Sequence, residues 1–321
     1  MGGWSDLDRE GGDPRAEHAP EVLAALRRAC AAVRAAGDPA LLELARLRLA
    51  DLLGEEAEAD APAWGALDPE RAAGVASWPT SERYDDRERA ALALAEQFAV
   101  DVTGVPAGPL SDASALLGSG VLAYVQGLYL LDVGQRAAVA LAALFERPVP
   151  STQWAWPTEG GPELPEDPMV AVDGLLRATG RLRALDPVLR ELVRLRGARH
   201  HCCRRCQSVR SVAALVSGAT EELLSSDDVL GLDDVDDATR AALRLTDAVL
   251  VGRPMVDADL VVEVRAALGP TEAVELVCYL VRNAANKVAV AFGADEAIVE
   301  DGHEYQVIAD DGDTLTVDAP G

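Results

Sequence analysis

The 321-residue chain carries 29 Lys and Arg against 54 Asp and Glu, a formal net charge of −25, and is 49% hydrophobic but only 4% aromatic. That length and apolar share allow a sizeable core, in about two domains. The acidity leaves no extended basic footprint for nucleic-acid phosphates or an anionic leaflet, so neither nucleic acid nor membrane is an expected partner. The amino terminus, Met1-Gly2-Gly3-Trp4-Ser5-Asp6, lacks the basic and apolar regions of a secretory signal, and unbroken apolar stretches fall far short of a bilayer span. The expected location is the cytoplasm.

In chain order, residues 1–19 are rich in Gly, Asp and Arg and read as disordered. Leu, Ala and Val then recur at three- and four-residue spacing over 20–53 and 87–102, within a first helical unit at 20–147. Six prolines, at 148, 150, 157, 162, 165 and 168, mark a linker over 148–169. Helical spacing resumes at 171–199, 206–216, 238–251, 257–268 and 271–292, a second unit spanning 170–296. The tail, 297–321, reads as a small peripheral hairpin, with Tyr305–Ile308 and Thr314–Val317 around an Asp-Asp-Gly-Asp turn. The expected fold class is all-α, as two tandem helical bundles with a small C-terminal β-hairpin.

The two units repeat one another. Pro39-Ala-Leu-Leu-Glu43-Leu-Ala-Arg46-Leu-Arg48 aligns with Pro187-Val-Leu-Arg-Glu191-Leu-Val-Arg194-Leu-Arg196 at an offset of 148. Arg89–Leu94 aligns with Arg240–Leu245, and Asp132–Arg136 with Asn283–Lys287, both at an offset of 151. Three collinear matches predict a duplicated unit of roughly 150 residues. The halves differ in one respect: where the second has Cys203 and Cys206, the first has Glu55 and Glu58.

Five cysteines stand at 30, 202, 203, 206 and 278, and three of them fall within five residues. Such a cluster in a reducing compartment points to redox or metal chemistry. On a helix beginning near Cys203, positions 203, 206 and 210 share a face, and a 203–206 disulfide closes a short loop. Between 177 and 210 there are ten arginines against two acids, Asp186 and Glu191, a local reversal of sign that favours thiolate. Zinc is the other use of His200, His201, Cys202, Cys203 and Cys206, although no second ligand pair is evident. Cys30 and Cys278 sit in apolar helical patterns and read as small buried hydrophobes.

Glu191, eleven residues, Cys203, two residues, Cys206, three residues and Arg210 resemble the Glu-x11-Cys-x2-Cys-x3-His pattern of the AhpD-like, carboxymuconolactone decarboxylase-type family. Asn286-Lys287 and the apolar run to Gly293 resemble that family's closing helix, so the resemblance covers roughly 20–147 and 170–295. It implies an all-α bundle that forms homo-oligomers and a cysteine pair that reduces hydroperoxides or disulfides, recharged by a thiol protein or small thiol, with no cofactor. It assigns the attacking role to Cys206 and the resolving role to Cys203, whereas helix-dipole logic makes Cys203 the lower-pKa thiol. Glu191 is then a proton-relay base or an arginine partner, as Glu43 in the cysteine-free half suggests.

Arg210 stands where the family has His. It holds charge but exchanges no protons, which leaves His200 or His201 to take over the relay or to stand by. The leading expectation is an antioxidant thiol peroxidase or disulfide oxidoreductase with Cys206, Cys203, Glu191, His201 and Arg210 at its site. The alternative is a non-redox protein of the same fold, whether a lactone decarboxylase-like enzyme, a degenerate scaffold or a metal-binding protein.

Overall fold

The computed structural model describes residues 4, 12–55, 66–149 and 167–319, and the fold is mostly helical with a small C-terminal sheet. The first half holds α1 (Pro14–His18), α2 (Pro20–Ala36), α3 (Pro39–Leu53), α4 (Pro69–Ala73), α5 (Asp86–Val100), α6 (Pro109–Leu117) and α7 (Val121–Phe145). The second holds α8 (Pro168–Gly180), α9 (Pro187–His200), α10 (Arg204–Gln207), α11 (Val212–Val216), α12 (Glu221–Ser225), α13 (Asp237–Leu250), α14 (Ala258–Ala267), α15 (Pro270–Asn283) and α16 (Asn286–Ala291). Strands β1 (Val209–Ser211), β2 (Glu304–Ile308) and β3 (Thr314–Val317) form one sheet in that order.

A recurring Asp-Pro pair sets many of these boundaries. Asp13, Asp38, Asp68, Asp167 and Asp186 each cap a helix through a side-chain oxygen that accepts backbone N–H groups, and each is followed by Pro at the first helical position. Gly37-Asp38-Pro39 thus cuts the apolar run 20–53 into α2 and α3. The longest helix, α7, lay outside the periodic runs because it is apolar nearly all round and buried on most faces. Together with α6 it makes the one helical stretch among the described residues long and apolar enough to cross a membrane. Of that window 83% is buried inside the protein, as a core helix is.

The repeat is visible in the order of elements, since α2, α3, α5 and α7 correspond to α8, α9, α13 and the α15–α16 pair. Corresponding helices pack on each other, α2 against α8 and α7 against α15, and a single apolar cluster runs from Ala19 to Ala291 through both halves. The Tyr129 hydroxyl on α7 donates to the Val281 carbonyl on α15 at 2.9 Å. Burial of this apolar surface is the main driving force holding the halves together.

Two expectations are corrected here. Residues 12–19 are ordered: α1 packs on α15, and Arg15, itself buried, is clasped by Asp13 at 2.6 Å. Trp4 donates its indole N–H to the Leu268 carbonyl at 2.7 Å. The other residues of 1–11, the linker at 150–166 and Glu58 lie outside the described residues.

The hairpin forms but is not peripheral. Its strand β2 pairs in parallel with β1, Val209 opposite Glu304 and Ser211 opposite Gln306, where a helix over 206–216 was expected. Its turn docks on the end of α8. Gly312, at φ +85°, lies so close that a Cβ there would meet the Arg177 carbonyl oxygen at 1.9 Å.

Candidate functional site

Helix α9 ends at His200, and Cys202 adopts the left-handed conformation at φ 51°, which turns the chain back on itself. The return places Cys203 as the cap of the single-turn α10, its Sγ accepting the Cys206 N–H at 3.3 Å. Glu191 fixes this return from beneath. Its Oε1 accepts the Ser211 N–H at 3.0 Å, and both carboxylate oxygens accept Arg194 at 2.7 Å. Arg194 in turn donates to the Cys206 carbonyl at 2.6 Å and the Val209 carbonyl at 2.8 Å. These two bonds draw the carbonyls of 206 and 209 away from helical partners, which is why α10 stops and β1 begins.

Cys203 is 1% exposed and Cys206 half-buried, and neither is in a disulfide. The two thiols are hydrogen-bonded to each other, and that bond is the largest influence on both. It brings the Cys206 thiol down to about 7, helped by the Arg194 charge, an Asn286 hydrogen bond and Arg205, against the opposing effect of burial. The same bond, with burial, pushes Cys203 well above the ordinary thiol range. Cys206, not the helix-capping Cys203, is therefore the acidic thiol. One helical turn carries little dipole, and Cys203 is spent as the donor to its neighbour.

His201, 5% exposed, shares its Nδ1 with Asn286 Oδ1 at 2.8 Å. With that oxygen as acceptor, Nδ1 carries the proton. Burial first, then the Lys287 charge, pull His201 down to about 3, so it stays neutral near pH 7 and donates no proton to a leaving group there. Its part is to orient Asn286, whose side chain hydrogen-bonds Cys206. In sequence Asn286 belongs only to the closing helix; its place beside the thiol comes from α16 bordering the same cleft as Cys206. His200, whose ring faces the neighbouring His201, is also shifted down, chiefly by desolvation and then by the Lys287 and Arg136 charges. Cys202 is exposed, and Cys30 and Cys278 are buried with thiols pushed up to about 12 by desolvation.

Arg210 does not join the thiols. It is 4% exposed in β1, with Nε and Nη2 on Glu221 at 2.7–3.1 Å, Nη2 also on Ser225, and Nη1 on the Gln207 and Val209 carbonyls. Every guanidinium N–H is committed. The shared face of 203, 206 and 210 required a continuous helix, and the strand breaks it.

The arginine excess of 177–210 is likewise largely cancelled by acids from elsewhere: Arg196 by Asp247, Arg199 by Asp227, Arg204 by Asp295, Arg181 by Glu21. Among the described residues, no three His, Cys, Asp or Glu side chains gather as a metal cage.

Cys206 opens onto a cleft of about 370 Å³ bordered by Arg194, Arg205, Asn283 and Asn286 and by Gln306 and Thr314 of the hairpin. Behind His201 lies a separate polar cavity of about 40 Å³, walled by Asp132, Arg136 and Lys287. Those three form a buried triad between the halves. Lys287 Nζ is 2.6 Å and Arg136 Nε 2.8 Å from Asp132, which the two cations hold down to about 2 against its desolvation.

Two proteins of Mycobacterium tuberculosis, uncharacterized protein Rv2313c of strain H37Rv and uncharacterized protein MT2376 of strain CDC 1551, are each 39% identical to this chain over 256 residues. The match covers 76% of this chain and 88% of each relative. The chain belongs to the same family as these two proteins. No family model and no solved structure matches it. The dithiol, Asn286 and the cleft of this chain therefore stand on their own geometry.

Proposed function

We propose that this protein is an AhpD-like thiol peroxidase or thiol–disulfide oxidoreductase of the cytoplasm, acting through Cys206 as attacking and Cys203 as resolving thiol. The observation that carries this reading is a low-pKa thiol at the mouth of a cleft, hydrogen-bonded to a second thiol buried behind it. Near pH 7 much of Cys206 is thiolate, and thiolate is the nucleophile.

Attack on the terminal oxygen of a hydroperoxide breaks the O–O bond. The alkoxide leaves with the electron pair and takes a proton from solvent in the cleft, and Cys206 becomes a sulfenic acid. Cys203 then displaces its hydroxyl as water, giving the Cys203–Cys206 disulfide, which a dithiol protein or two small thiols reduce by exchange. Arg194 and Asn286 stabilise the thiolate. His201 positions Asn286, and Glu191 holds Arg194 and the backbone return.

The non-redox reading draws on the same structure, because His201 and Arg210 supply no proton donor near neutral pH. Differential alkylation with peptide mapping, before and after one equivalent of cumene hydroperoxide, decides between them. Formation of a Cys203–Cys206 disulfide, abolished by Cys206→Ser, is the expected result. A pair that stays reduced, with both thiols alkylated as before, overturns the redox reading in favour of a scaffold or non-redox enzyme.

A further inference from the structure

A second lobe of about 160 Å³ adjoins the cleft at Cys206 and shares with it a wall of Arg194, Val209, Arg282, Asn283, Gln306 and Thr314. Arg183, Arg190 and Arg282 line this lobe, and none of them is ion-paired among the described residues, in a chain with 54 acids.

Their hydrogen bonds go to neutral groups. Arg282 donates to the Leu176 carbonyl at 3.1 Å and the Thr314 hydroxyl at 2.9 Å, Arg190 to the Leu182 carbonyl and the Tyr279 hydroxyl, and Arg183 to the Gly180 and Leu182 carbonyls. Arg282 Nη1 and Arg190 Nη2 have no hydrogen-bond partner among the described residues, and the Arg190 guanidinium lies over the Tyr279 ring, 5.4 Å from its centroid. The carboxylate of Glu191 on the same wall is taken by Arg194 and Ser211, and that of Glu275 nearby by the Ala184 and Leu185 N–H groups.

A second observation points the same way. The amide nitrogen of Asn283, on the wall common to both lobes, is buried and has no hydrogen-bond partner. A buried donor of this kind costs free energy until an acceptor meets it. Guanidinium groups without an ion-pair partner of their own, with Glu275 acting on Arg190 and Arg183 only at longer range, lose repulsion when an anion enters, and their planar forks match a carboxylate. Pro187, Val209, Ala213, Tyr279 and Ile308 give the lobe an apolar side, next to the polar Ser211, Gln306 and Thr314.

We propose that this lobe binds the carboxylate of a small amphipathic organic acid, with Arg282, Arg190 and Asn283 as its recognition groups. Resting on the redox reading above, the preferred substrates of the dithiol are then carboxylate-bearing hydroperoxides or disulfides. With a carboxylated aryl disulfide, Cys206 thiolate forms a mixed disulfide and expels one aryl thiolate. Cys203 loses its proton to solvent and expels the second, so two protein thiols are oxidised as one disulfide is reduced.

Binding and chemistry are tested apart. Calorimetry on the Cys206→Ser protein compares octanoate with octanamide and with inorganic phosphate. Octanoate is expected to bind at least tenfold more tightly than either, with that preference lost in Arg282→Gln and in Arg190→Gln at unchanged circular dichroism. Equal binding of octanoate and octanamide, or of octanoate and phosphate, overturns the proposal.

On wild-type protein, the rate with 5,5′-dithiobis(2-nitrobenzoate) is compared with that of neutral 2,2′-dithiodipyridine. The two arginine variants are expected to slow the first at least tenfold and leave the second unchanged. Equal slowing of both reagents counts against carboxylate recognition. Octanoate binding with thiols inert to both reagents sinks the redox reading and leaves the cleft assignment standing. Reactive thiols with no preference for octanoate do the reverse.

Discussion

Glu43 on α3 and Glu191 on α9 occupy corresponding places in the two halves, each buried and each clasping the arginine three residues on, Arg46 and Arg194, at 2.7 Å. Only the second stands beside thiols. The first half keeps the whole arrangement with Glu55 where the second has Cys203, so the Glu–Arg pair belongs to the scaffold, and the chemistry was added to it or lost from its twin. The next pair of equivalents teaches the same. Gln135 on α7 donates to the Arg46 carbonyl at 3.0 Å, whereas its counterpart Asn286 turns to Cys206 and His201.

The strongest way to break this picture is at the seam, where Asp132 of the first half meets Lys287 of the second. Asp132→Ala strands two buried cations and is expected to cost about 3–5 kcal/mol in denaturant unfolding. A loss below about 1 kcal/mol would mean that the triad does not join the halves. The same triad predicts acid sensitivity. Asp132 is held at about 2, below its ordinary 3.8, so its stabilisation is complete above about 3.8 and fades as pH falls toward 2.

The symmetry itself is tested by Glu43→Ala and Glu191→Ala, each expected to cost about 3 kcal/mol, since either removes the buried carboxylate that clasps the arginine three residues on. A Glu191→Ala protein as stable as wild type but with dead thiols would return Glu191 to the role of catalytic base. The halves should also part in thiol reactivity. Iodoacetamide labelling of Cys206 is expected to be half-maximal near pH 7 and to move up toward the ordinary thiol value of 9.0 in Asn286→Ala, while Cys30, buried in the first half, stays unlabelled in the folded protein.

The smallest effect concerns His201. Its folded value of about 3 lies below the ordinary 6.5, so the unfolded chain takes up the proton first. Stability then falls by about 1.4 kcal/mol per pH unit as pH drops below about 6.5. His201→Gln should flatten that slope, as measured by urea titrations at pH 7, 6 and 5. An unchanged slope would place the acid sensitivity elsewhere.

Much of this was legible in the linear chain. The helical class, the C-terminal hairpin, the internal alignment and the cysteine cluster all follow from local spacing and turn chemistry, which act over a few residues and leave a direct imprint. The one long helix that escaped, α7, is buried on nearly every side and so lacks the polar stripe that reveals period. Arg210 was misplaced because helical spacing was carried across Ser208. The break there comes from Arg194, twelve residues from Cys206 in sequence, taking two backbone carbonyls.

By itself, then, the sequence determined the helical class, the C-terminal hairpin and where the thiols lie, and it aligned one half of the chain with the other. Tertiary structure alone decided which thiol is acidic, that His201 is neutral and serves Asn286, and that acids distant in sequence cancel most of the arginines while, among the described residues, Arg183, Arg190, Arg205 and Arg282 in the cleft have no ion pair. The reason is physical. Caps and periodicity depend on neighbours along the chain, whereas a pKa or an unmet charge depends on burial and on whatever side chain another element brings within a few ångströms.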